Sequence, residues 1–194
     1  LAALPSCAWA RPAAAPALPL MLARDASAGA DPAGHLVSEK YDGVRAFWDG
    51  RRLRFRSGRE VAAPRWFVER LPPLPLDGEM WLGRGTFDAL SAAVRRAQPL
   101  DAEWRQLRYL LFDLAHAAGP FASRAAALER LAHQLAWPPL QAVRQDVLAD
   151  RAALQRRLDA VVAGGGEGLM LHRADALHVP GRSTALVKLK PLPD

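Results

Sequence analysis

Glu39-Lys40-Tyr41-Asp42-Gly43-Val44-Arg45 is the stretch on which the reading of this chain turns. Its lysine ends a predicted strand, His35–Lys40, and is followed by a polar turn containing a glycine. Acidic side chains and an arginine lie within five residues of it. A lysine amine attacks phosphorus only when deprotonated. Cationic neighbours and desolvation favour that form, and a nearby carboxylate opposes it. Read alone, the stretch leaves two options open: a nucleophilic lysine, or a surface turn held by Lys–Asp pairing.

The background sharpens the choice. Among 194 residues there are 26 basic and 20 acidic side chains, a formal charge of +6. That excess suits a polyanionic partner without establishing one. Only Lys40, Lys188 and Lys190 are lysines; every other basic residue is arginine. Arginine serves solvation and salt bridging but stays protonated, so it is a poor nucleophile. The lysines that persist are therefore candidates for chemistry. Lys188 and Lys190 stand two apart, which on a strand places them on one face. The single cysteine, Cys7, excludes an internal disulfide and a cysteine-rich metal site.

Working outward, residues 1–19 are rich in Ala, Pro and Leu and read as a disordered leader or a signal-peptide remnant. No run reaches the length of a membrane span. Leu20–Ala23 is a short apolar segment followed by a loop through Asp25–Gly34. Val44–Asp49 and Arg52–Arg56 form a predicted hairpin turning at Asp49-Gly50. Ala63–Leu71 is a predicted short helix, and Leu76–Leu82 a strand interrupted by a turn. Thr86 is the expected cap of a helix Phe87–Ala97, and Ser123 of a helix Arg124–Leu135. Leu107–Leu114 reads as a strand. A helix over Val147–Ala163 ends at Gly164–Gly166, and Gly168–His172 and Ala185–Leu189 close the chain as strands. The irregular mixture predicts an α+β fold with mostly antiparallel sheets.

Glu79 and Glu167 stand beside glycines inside apolar runs, where a carboxylate needs a metal, a hydroxyl, a cation or backbone donors. Gly164–Gly166 is not a phosphate loop, because GxxxxGK[ST] is absent. Phe112 by itself reads as core. Arg51, Arg52, Arg54, Arg56 and Arg59 form a basic cluster compatible with phosphate-backbone contacts. None of the five histidines has an elbow or metal motif beside it.

Taken together and in order, these residues resemble the ATP-dependent DNA ligases of the covalent nucleotidyltransferase superfamily, which also holds RNA ligases and mRNA capping enzymes. Lys40-Tyr41-Asp42-Gly43-Val44-Arg45 is similar to the family's KxDGxR signature, and Arg56-Ser57-Gly58, Asp77-Gly78-Glu79, Tyr109–Leu114, Glu167-Gly168-Leu169-Met170 and Lys188-Leu189-Lys190 to its later motifs. The surrounding text is closest to the small bacterial ligases.

The resemblance implies an ATP-grasp-like nucleotidyltransferase domain over 20–194, with an OB-fold domain expected after it and absent from this chain. It implies that Lys40 is the catalytic residue that receives AMP. Glu39, Asp42, Gly43, Arg45, Arg56, Glu79, Phe112, Glu167, Lys188 and Lys190 are the implied nucleotide-binding set. Phe112 is expected to stack on adenine, and Glu79 and Glu167 to serve the metal. ATP and Mg2+, with Mn2+ as a substitute, are the implied cofactors, and nicked double-stranded DNA the partner of a monomer outside the membrane. Roles in DNA replication, repair and recombination follow by the same resemblance. A periplasmic location fits a signal remnant; without one the location is cytoplasmic. Two other functions remain open: an RNA-ligase or capping-type enzyme, and a non-catalytic nucleic-acid-binding fragment.

Overall fold

Three strands open the fold: β1 (Met21–Asp25), β2 (His35–Glu39) and β3 (Val44–Trp48). They are followed by β4 (Leu53–Phe55), α1 (Arg65–Val68), β5 (Leu76–Trp81), α2 (Phe87–Arg95) and α3 (Asp101–Trp104). The remaining elements are β6 (Arg108–Asp113), α4 (Phe121–Leu135), β7 (Leu140–Ala142), α5 (Arg151–Ala163), β8 (Leu169–Arg173) and β9 (Gly181–Leu189). The structure, a computed structural model, describes residues 18–27 and 29–191. Most of the 1–19 segment, with Cys7, lies outside the described residues.

The strands form two sheets, one ordered β1-β9-β8-β2 and the other β4-β3-β5-β6-β7. β1 with β9 and β6 with β7 are parallel, and the other five pairings are antiparallel, so each sheet is mixed. The fold is α+β as expected. Its decisive connection is a short one. Lys40–Gly43 carries the chain from β2 in the first sheet to β3 in the second.

Burial explains both layers. In β4, Leu53 and Phe55 are buried and Arg54 between them is half-buried, the period of a strand packed on one face. Beneath the five-stranded sheet, Phe67 packs edge-on against Trp104 and Trp137, with ring centroids 5.0 Å apart in both pairs. Removing the Trp104 ring would cost about 3–5 kcal/mol. The four-stranded sheet has its own core, where Leu154, Leu158 and Val161 of α5 meet Val37, Leu169 and Leu171. That spacing is one face of a helix.

Several local expectations change. Leu76–Trp81 is one uninterrupted strand, because pairing on both edges, with a bulge at Asp77/Gly78, absorbs the glycine. The short apolar segment Leu20–Ala23 is taken up in strand β1, which runs to Asp25, the first residue of the expected loop, and acquires its partner only from β9. Thr86 does precede α2, but its hydroxyl donates to the Gly83 carbonyl and caps no backbone N–H. α4 starts at Phe121 after Pro120, leaving Ser123 inside the helix. α5 starts at Arg151, where the Asp150 carboxylate accepts from the Ala153 N–H at 2.7 Å. The short elements α3 and β7 were not expected. β7 exists by pairing with β6, a contact that three residues do not announce.

Candidate active site

The Lys40–Gly43 crossover lies over a cavity of about 650 Å³, within the range of small-molecule sites. Both sheets line it. Lys40, Asp42 and Gly43 come from the crossover, Glu39 and Ser38 from β2, Arg45 from β3, Glu79 from β5, Phe112 from β6 and Lys188 from β9. Arg56 and Glu167 complete the wall from loops. All the expected site residues line this cavity except Lys190, which reaches it by its contact with Glu167.

Close packing accounts for two motif glycines. A Cβ on Gly43 would run into the Met80 carbonyl and the Glu79 side chain. A Cβ on Gly168 would run into the Leu189 carbonyl. These glycines let the crossover lie on β5 and let β8 begin against β9. The Lys40 N–H also donates to the Gly168 carbonyl at 2.8 Å, joining the first motif to the EG motif.

Glu167 is the meeting point of the lysines. Lys40 Nζ donates to its Oε2, and Lys190 Nζ pairs with its Oε1. Burial works against the Glu167 charge, but hydrogen bonds from Lys190 and Lys40 outweigh it and hold the carboxyl below its usual pKa. Lys188 instead pairs with Asp25 at 3.1 Å. The two lysines expected on one face of a strand therefore serve different carboxylates, because β9 ends at Leu189 and Lys190 leaves its alternation.

Glu79 is the opposite case. Its side chain forms no hydrogen bond or ion pair among the described residues. It lines the cavity. Burial pushes its pKa up to about 8, against the pull of Arg45 and Lys40. A carboxyl in that position gains from a cation or a hydroxyl donor. No group of three or more His, Cys, Asp or Glu side chains suited to a metal exists among the described residues. Mg2+ needs no such cage. It takes one or two carboxylates with waters and substrate phosphate, and Glu79 with Glu167 fits that donor set.

Arg45 is more committed than expected. It forks onto Asp77, Nε to Oδ1 at 2.9 Å and Nη2 to Oδ2 at 2.5 Å, and donates to the Met21 carbonyl at 2.9 Å. Its guanidinium lies 5.1 Å from the centre of the Phe112 ring. Phe112 is half-buried and faces the cavity, which corrects its reading as core.

Arg84, Asp113, Arg124 and His178 escaped the sequence reading. Arg84 Nη2 donates to both Glu39 oxygens at 2.9 Å, and its Nη1 donates to the Gly164 carbonyl. Asp113 lines the cavity and accepts from the buried Arg124 at 2.7 and 3.1 Å. Among 23 arginines no local signal marks Arg84 or Arg124. Their partners are distant in sequence or unremarkable carbonyls.

The site is thus a lysine at a crossover between two sheets, over a cavity that both sheets line. No family model matches the chain. It is 31% identical over 159 residues to a DNA ligase of Haemophilus influenzae, over 81% of this chain and 58% of that protein. A solved structure from work on DNA binding with a minimal scaffold in Lig E DNA ligases matches with a TM-score of 0.82 at 37% identity, over 89% of this chain and 68% of that one. The Chlorella virus DNA ligase-adenylate matches with a TM-score of 0.72 over 88% of this chain and 67% of that one; its 20% identity bears on the fold alone. The chain belongs to the ATP-dependent DNA ligases and corresponds to their adenylation domain. It spans 58% of the length of the Haemophilus ligase. Among the described residues no helix is long and apolar enough to cross a membrane.

Proposed function

We propose that this domain carries out the adenylate chemistry of an ATP-dependent DNA ligase in an ATP-grasp-like cleft. The observation that carries the reading is the convergence of Lys40 and Lys190 on Glu167 at the wall of the cavity. In the first step the Lys40 amine gives up a proton and attacks the α-phosphorus of ATP. A P–N bond forms, the bond to the β-phosphate oxygen breaks, and pyrophosphate leaves. In the second step the 5′-phosphate of a nick attacks the same phosphorus and the P–N bond breaks. In the third the 3′-hydroxyl of the nick attacks the activated phosphate, AMP leaves and the strand is sealed.

The chain's residues supply position and charge. Phe112 offers a ring face for adenine, with Arg45 fixed behind it by Asp77. Lys188, Lys190 and Arg56 supply positive charge for the phosphates. Glu79 and Glu167 would hold Mg2+, or Mn2+ in its place, which would supply charge neutralisation for the leaving pyrophosphate. Releasing Lys40 from Glu167 frees its amine, and Lys190 remains to hold the carboxylate.

The test follows the label of α-labelled ATP onto the protein and then onto nicked DNA, with nicked RNA as the comparison. Label passing to the 5′-phosphate of the DNA nick supports the reading. Label that moves only to RNA, or never onto protein, overturns it.

A further inference from the structure

The Arg84 contacts join three parts of the molecule that meet at the reactive lysine. Arg84 belongs to the loop between β5 and α2, on the five-stranded sheet. Glu39, which it holds through both carboxylate oxygens, ends β2 of the other sheet and immediately precedes Lys40. Gly164, whose carbonyl it also engages, is the C-cap of α5. From Gly164 the chain runs through two more glycines to Glu167, the partner of Lys40. One guanidinium therefore grips the residue before the nucleophile and the base of the loop that carries its counter-ion.

The local chemistry suits a fixed clamp. A guanidinium presents its donors as a rigid fork, and Glu39 offers two coplanar acceptors. The last carbonyls of a helix lack intrahelical partners and carry partial negative charge, so a cation is favoured there. The Glu39 side chain is only 12% exposed, whereas that of Arg84 is 38% exposed, so the carboxylate is the anchored member of the pair. Small residues make the approach feasible. A Cβ on Gly164 would run into the Arg84 guanidinium, and a Cβ on Gly166 would come within 3.0 Å of Glu39 Oε1.

We infer that Arg84 is a positioning residue for the adenylation step, which sets Lys40 against Glu167 by clamping Glu39 to the C-terminus of α5. This rests on the functional reading above, but it makes a separate mechanical claim. Arg84 touches neither Lys40 nor Glu167. It acts through the segments on either side of them.

Two measurements on the full chain test it. In single-turnover labelling with ATP and Mg2+, Arg84→Ala should slow Lys40–AMP formation about tenfold or more at saturating ATP while changing the apparent ATP affinity little. Arg84→Lys keeps the charge but not the fork, and its rate should fall between the two. The loss should be non-additive with Glu39→Gln, since both variants open the same clamp. A rate for Arg84→Ala within about twofold of the parent, or losses that simply multiply, overturns the proposal. The second measurement is amide exchange, which needs no turnover. In Arg84→Ala the Lys40, Gly165 and Gly166 amides, now hydrogen-bonded to Gly168, Val162 and Val161, should exchange about tenfold faster while those of α4 keep their protection. Unchanged exchange at those three amides overturns the clamp even if the parent forms no lysyl-AMP. Absence of lysyl-AMP in the parent would count against the functional reading instead.

Discussion

Lys40 and Glu167, 127 residues apart in sequence, meet as an ion pair where the paired strands β2 and β8 of the four-stranded sheet adjoin. Lys190 completes the arrangement from the end of β9 by taking the other oxygen of Glu167. Lys40 thus rests on a carboxylate that also holds a second ammonium.

Glu167→Gln should therefore damage chemistry more than folding. The paired side chains are 23% and 25% exposed, so the pair is worth about 1 kcal/mol, or roughly 2–4 °C in melting temperature. Lys40–AMP formation should fall at least about tenfold. Thermal melts and α-label transfer on the same preparation check both halves. A large loss of stability with unchanged labelling would contradict the assignment.

Glu79 sets a pH dependence whose sign follows from its environment. Burial raises its folded pKa to about 8, above the ordinary carboxyl value of 4.5. Between those values the folded state holds a proton that the unfolded state has released, so the contribution of Glu79 to stability falls as pH rises through this window. Glu79→Gln removes that dependence. The melting temperature of the variant minus that of the parent should climb from about pH 4.5 to 8 and then level off. His172, buried and lowered to about 4, acts in the other direction in both proteins and cancels in the difference. A flat difference curve would contradict this account of Glu79.

His178 acts with the opposite pH profile to a buried neutral histidine. Its ring nitrogens face Asp113 Oδ2 at 3.2 Å and the Pro19 carbonyl at 2.8 Å, both acceptors, so only the imidazolium satisfies both. The hydrogen bond to Asp113 raises its pKa above 6.5, with burial opposing. Its stabilisation is complete below pH 6.5 and is lost as pH rises through the folded value. His178→Ala should cost about 1–3 kcal/mol at pH 5.5 and less at pH 9. Asp113, held at about 2 by His178 and Arg124 against burial, stays ionised across that comparison. Urea titrations at the two pH values measure it.

The basic cluster is partly neutralised. Arg52 pairs with Glu60 and Arg54 with Asp49, while Arg56, Arg59 and Arg95 have no ion pair among the described residues. Arg59 and Arg95 lie 4.8 and 5.6 Å from the centre of the Phe55 ring, at the cavity wall. Replacing both with alanine should weaken binding to nicked DNA and make the slope of log affinity against log salt shallower by about 1–2. Fluorescence anisotropy over a salt series reads both quantities. An unchanged slope would place the DNA elsewhere.

Legibility in the sequence followed the distance over which each residue's role is decided. The hairpin at Asp49-Gly50, the helices other than α3 and the strand around Phe112 are local patterns, and they stand close to where the sequence predicts them. The cavity gathers Lys40, Arg45, Glu79, Phe112 and Glu167 because motif order carries their spatial relation by resemblance. Strand β1 and the three-residue β7 depend on partners far along the chain and were invisible. So was Arg84, whose role depends on a carboxylate 45 residues away and a helix-end carbonyl that has no side-chain signature. Lys188 and Lys190 were assigned one face by alternation, and the end of β9 between them separated their partners.

The most direct test of the account is to treat the protein with ATP and Mg2+, digest it and locate AMP by peptide mass spectrometry. The account predicts one AMP on the peptide containing Lys40, lost in Lys40→Ala while the variant keeps the fold. AMP attached elsewhere, or attachment that survives Lys40→Ala, would contradict it.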